Sequence, residues 1–176
     1  MAQRARRSGG LWYLVMGVVF IVTAVVVLFL TGLGEPAGEG IEAALRWAAV
    51  SGQVPKDLMV VYDDVHPLYG GTTIEVRGNG TVRRSDRSRG QAKARVKTGK
   101  ANREDLAKLI RELVDLEAWT QKTVERSAVP DESRAELKIT IGDNTGGFWE
   151  WYNELERNKR LSRIRERLDH LVPPTP

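Results

Sequence analysis

The chain contains no cysteine among its 176 residues, only two histidines, and aromatic residues at only 7% of positions. Without a thiol there is no disulfide framework, thiolate metal site, iron–sulfur ligation or cysteine nucleophile. His66 and His170 are too few to build a histidine metal cluster. The G-x-S-x-G, HExxH, calcium-loop, dinucleotide and phosphate-loop patterns are also missing. We therefore expect no cofactor and a non-enzymatic role.

One long apolar run is present. Residues 11–30, LWYLVMGVVFIVTAVVVLFL, carry no charge, and at about 1.5 Å rise per residue they span about 30 Å of hydrocarbon as a helix. Fourteen of them are Leu, Ile, Val or Phe, which favours insertion by about 4 to 8 kcal/mol. A buried core helix of a small protein is seldom apolar on every face. A cleaved signal peptide has an apolar stretch of only about 7 to 15 residues, and TGLGEPAGEG after the run is a poor cleavage pattern. The sequence thus predicts a retained transmembrane helix at 11–31. Arg4, Arg6 and Arg7 precede it, and Glu35, Glu39 and Glu42 are the first charges beyond it. The lysine/arginine bias therefore predicts a single-pass protein of the cytoplasmic or inner membrane, with the basic segment 1–10 in the cytoplasm and the remainder outside. Trp12 and Tyr13 are the expected membrane-interface anchors.

A connector at 32–56 follows, glycine-rich at first. Ile41, Ala44, Leu45, Ala48 and Ala49 share one face of a short helix within it. Residues 57–172 are expected to form an α+β domain with a small, mainly antiparallel sheet, packed by an amphipathic helix and followed by a C-terminal helix. LMVVY at 58–62 is continuous enough for a central strand buried on both faces. GGTTIEVRGNGTVRR at 70–84 alternates apolar and polar residues and turns at Asn79-Gly80, a β-hairpin signature rather than a phosphate loop. Residues 91–98 alternate Ala92, Ala94, Val96 and Thr98 with Lys93, Arg95 and Lys97, which predicts a further strand ended by Gly99. In 103–117, Leu106, Leu109, Ile110, Leu113 and Val114 form an apolar stripe behind the cap Asn102. ELKITI at 136–141 reads as a strand, GDNTGG at 142–147 as a turn, and the later part of 148–172 as a helix on Leu161, Ile164, Leu168 and Leu171. Residues 173–176 are a short tail.

The DDVH run places Asp63, Asp64 and His66 together. Adjacent strand residues face opposite ways, so the two carboxylates converge only in a turn. They are read as solvated loop residues rather than a metal or acid–base site. His170 falls on the surface or boundary of the terminal helix.

The net charge of +4 is unevenly placed. From Arg77 to Arg103 there are ten Lys/Arg and one acid, Asp86. Arg83, Arg84, Arg87, Arg89, Lys93, Arg95 and Lys97 form the candidate patch for an anionic partner. No aromatics interleave with them for base stacking, and the outer location disfavours nucleic acid. The patch suits a solvated sheet edge, an acidic protein or an anionic envelope ligand. Edge cations also block unwanted strand pairing.

YGGTTIEVRGNGTVRR, TGKANREDLAKLIRELVDLEAW and ELKITIGDN resemble weakly characterised bacterial membrane-anchored α+β domains in which a hairpin, a helix and another strand form a compact unit. The resemblance spans about residues 71–144 and implies a bacterial accessory module, with no ligand residues to transfer. The expected partners are the lipid bilayer and another membrane or envelope protein. The expected function is an accessory or structural subunit of a membrane complex, with a membrane-anchored anion-binding module as the alternative.

Overall fold

The computed structural model describes residues 40–91, 93–127, 129 and 131–172. The readings made for the span at 11–31, its anchors Trp12 and Tyr13, the first part of the connector and the tail lie outside the described residues. Among the described residues no helix is long and apolar enough to cross a membrane.

The element order is α1 (Gly40–Ser51), β1 (Met59–Asp63), β2 (Gly70–Arg77), β3 (Thr81–Ser88), β4 (Arg95–Lys100), α2 (Arg103–Asp115), β5 (Arg134–Ile141), β6 (Asn144–Trp151), a 3-10 turn (Tyr152–Arg157) and α3 (Lys159–Leu171). The six strands form one antiparallel sheet in the order β4-β3-β2-β1-β5-β6. The class is α+β.

Strand alternation explains the layering. Val60 and Tyr62 of β1, Ile74 and Val76 of β2, and Leu137 and Ile139 of β5 are all essentially inaccessible. Because side chains alternate along a strand, these residues share one face. Leu45 of α1, Leu109 and Leu113 of α2, and Ile164 and Leu168 of α3 join them in a single core. The helices touch each other in the sequence α1–α2–α3, with α1 against β5 and β6. Helix α2 is capped as its sequence demands, with the Asn102 side chain accepting from the Asp105 N–H at 2.8 Å.

Four differences from the sequence reading have local causes. β1 is central, but it is buried on one face only, with Met59 and Val61 half-buried on the other. Helix α1, assigned to the connector, packs Ile41, Ala44, Leu45 and Ala48 into the sheet's own core. β4 starts at Arg95 and runs through Gly99 rather than occupying 91–98. Its register on β3 puts Lys97 opposite Arg84 and Arg95 opposite Asp86, so charges rather than apolar groups occupy its helix-side positions. Finally, the run read as a turn entering a helix is strand β6, which pairs with β5 from Asn144 to Trp151. The turn itself is confined to Gly142 and Asp143.

The β2–β3 hairpin is as its sequence predicts. Gly80 has φ +87, and a Cβ there would lie 2.6 Å from the Ala101 carbonyl oxygen. Both the left-handed backbone and the close approach require glycine.

Candidate functional site

Strand parity divides the candidate cations. TVRRSDRS forms β3 with Val82 in the core, so Arg84 shares the helix side while Arg83 and Arg87 project from the opposite face. Arg84 is only 3% exposed. Its Nε donates to both Asp86 carboxylate oxygens at 2.8 and 3.0 Å, and its Nη1 pairs with Asp169 of α3. Arg84 is therefore an internal clamp and no part of an exposed patch. Arg89 lies beyond the end of β3 with its guanidinium 5.7 Å from the Tyr69 ring centre, and Lys93 is exposed in the β3–β4 loop. Arg95 and Lys97 lie on the rim of the helix side, and both are engaged by neighbours.

Among the described residues no helix lies on the opposite sheet face. Across β2, β3 and β4 it presents Arg77, Arg83, Arg87 and Lys100. Among the described residues Glu75 is the one acid on that half. It stands opposite Arg83 and accepts from Arg77 Nε at 2.6 Å. Arg77 and Lys100 were absent from the sequence-based patch; their parity with Arg83 is the signal that includes them. Farther along the same face, the Arg134 guanidinium stacks 3.9 Å from the Trp149 ring centre.

The DDVH segment is not a solvated loop. Asp63 is exposed and accepts from the Val65 N–H at 2.9 Å, but Asp64 and His66 are 4% and 3% exposed. Asp64 accepts from Tyr62 Oη at 2.9 Å and from the Thr72 N–H, and it pairs with Arg165 of α3. His66 Nδ1 accepts from the Leu68 N–H at 3.0 Å. That leaves its Nε2–H to donate to the Asp131 carbonyl at 2.7 Å. Tyr69 and Tyr152 pack on the imidazole at 4.6 and 4.8 Å between ring centres. A buried polar group without a partner costs roughly 1 to 3 kcal/mol, and each of these groups has one.

Together Tyr62, Asp64, Thr72, Arg84, Asp86, Arg165 and Asp169 make a polar network between the sheet and α3. Burial pushes the Tyr62 phenol up to about 12, against the opposing pull of the Arg165 charge. Near neutral pH it is a hydrogen-bond donor rather than a base. Among the described residues no three His, Asp or Glu side chains converge for a metal ion. Asp143 lies in the β5–β6 turn and Asn144 opens β6; His170 is exposed on α3.

Two open clefts adjoin the network and the C-terminal elements. One, about 560 Å³, is lined by residues including Tyr62, Arg165, Asp169 and His170. The other, about 700 Å³, includes Arg126, Trp151, Glu154 and Arg160. Their principal cations already bridge elements of the fold. Arg126 binds Glu132 and Glu154, and Arg160 donates to the carbonyls of Leu116, Glu117 and Thr120. The two clefts thus present groups that hold the fold together, whereas the uncovered sheet face presents cations to solvent. No family model matches the chain, and no curated protein matches it.

Proposed function

We propose that this chain is a non-enzymatic accessory module of a membrane complex, tethered by residues 11–31, whose outer domain docks an acidic protein through the uncovered face of β2, β3 and β4. The observation that carries this reading is the sheet's asymmetry. Three helices cover one face, while the other exposes Arg83 and Arg87 with Arg77 and Lys100 near them. A field of one sign accelerates encounter with an opposite surface and disfavours wrong orientations. The tether adds to this by raising the local concentration of the domain near membrane-bound partners.

An anionic envelope ligand is the competing occupant. Met59 and Val61, half-buried beside the cations, favour a protein surface, because a bare polyanion has no use for the apolar strip. Crosslinking in the native membrane, followed by mass spectrometry, tests the reading with the double variant Arg83→Glu/Arg87→Glu. The expected result is a stoichiometric partner crosslinked through this face of the native chain and lost in the variant, with unchanged melting. Unchanged partner capture by the variant, or binding to anionic vesicles in place of a protein, overturns it.

A further inference from the structure

Resting on the acidic-partner reading, we infer that the outer edge of β4 accepts an extended acidic segment of that partner as a seventh strand of the sheet. The ladder itself shows which backbone groups are available. The Ala101 N–H donates to the Gly80 carbonyl at 2.8 Å, and the β3–β4 register then continues through Val82↔Gly99, Arg84↔Lys97 and Asp86↔Arg95. In an antiparallel ladder these alternate pairs exchange bonds, and the residues between them turn their N–H and C=O groups away. Val96, Thr98 and Lys100 therefore direct donors and acceptors outward from the last strand of the sheet. Among the described residues nothing bonds to those groups.

The two edges of the sheet are treated differently. At the β6 edge, the Gln121 carboxamide imitates a neighbouring strand. Its Oε1 accepts from the Trp149 N–H at 2.9 Å, and its Nε2 donates to the Trp149 carbonyl at 3.2 Å. Among the described residues β4 has no such cover. Val96, 49% exposed, adds an apolar contact beside the edge on the uncovered face.

Charge selects the occupant. Antiparallel pairing of β4 with β4 of a second copy would place two strands that each carry Arg95, Lys97 and Lys100 side by side, and cations on an edge strand disfavour such pairing. An acidic segment meets no such obstacle. Its acidic residues on the uncovered side would approach Lys100 and the Arg83 row. Backbone bonds would supply the docking geometry and the cations the preference, as in strand addition generally.

The test uses the full chain in detergent and a fluorescent peptide of about seven residues alternating Glu and Val, long enough for one strand. Comparison peptides carry Lys in place of Glu, or N-methyl groups on alternate amides that remove ladder donors while keeping charge. The expected result is binding of the acidic peptide alone, with slowed hydrogen exchange at the amides of Val96, Thr98 and Lys100. Thr98→Pro removes one outward donor without touching a bond to β3 and should weaken binding about tenfold. N-methylation tests the same bonds without altering the protein.

If the acidic peptide binds but the edge amides exchange as before and N-methylation has no effect, the edge inference is overturned while docking on the basic face stands. If the acidic peptide does not bind, the edge inference is overturned. The docking reading then falls as well only if crosslinks through Arg83 and Arg87 are also missing.

Discussion

Arg83 and Arg84 are adjacent and chemically identical, yet one projects into solvent while the other is sealed against Asp86 and Asp169. Deleting Arg84 removes the buried cation that Asp86 and Asp169 share, so Arg84→Ala should cost about 3 to 5 kcal/mol in urea denaturation. Arg83→Ala should fall within about 0.5 kcal/mol of the native chain. Equal effects would refute the assignment of the two faces. Tyr62 supplies a pH test. Its phenol is pushed from 10.0 in the open chain to about 12 when folded. Between those values the unfolded chain binds fewer protons than the folded one. The contribution is thus complete below pH 10 and is lost as pH rises toward 12. Tyr62→Phe should flatten this part of the alkaline decline in melting temperature, while losing stability near neutrality because Asp64 gives up a donor. At acid pH the opposite sign holds for Glu132. The Arg126 guanidinium beside it holds its carboxyl below the usual range, so its contribution is present above the unfolded value and disappears as pH falls through the folded one.

Among the elements, the most legible were those whose apolar period matched their environment. The β2–β3 hairpin, α2, β5 and α3 each bury the residues that the spacing selects: Ile74 and Val76, Leu106 and Leu109, Leu137 and Ile139, Leu161 and Ile164. β6 was illegible because NTGGFWEW has two glycines and no clean alternation. Its extended state comes from a continuous ladder with β5 and from the side-chain amide of Gln121. Gln121→Ala should accelerate exchange of the Trp149 amide and cost about 1 to 2 kcal/mol; unchanged protection at Trp149 would contradict the edge-capping role. β4 was placed four residues early because an alternating pattern does not state where pairing with β3 begins, and its inward face was ambiguous because the inward positions are charged. The candidate patch suffered from the same ambiguity. Its position in the chain was visible, but its division between two faces required the phase of β3.

For the whole molecule, the core sets the smallest stable unit. Leu45 in α1 is fully buried together with residues of β5 and α2, so Leu45→Ala should cost about 2 to 5 kcal/mol. A chain begun at residue 38 should retain the cooperative unfolding of the native domain, whereas one begun at residue 57 should lose it; calorimetry distinguishes the two. Equal cooperativity in both would show that α1 is dispensable. The sequence alone determined the α+β class, the main hairpin and the amphipathic helices, because alternation and helical spacing are local properties of the chain. It also supplied the proposal of a membrane span, through a run whose hydrophobic length is independent of tertiary contacts. Only the tertiary structure decided that Asp64, His66 and Arg84 are interior groups, that α1 belongs to the core and that β6 is a strand. Each of those outcomes depends on partners distant in the sequence: Arg165 for Asp64, Asp131 for His66, Asp169 for Arg84 and the whole of β5 for β6. Burial and long-range pairing are shared between segments, so no single segment encodes them.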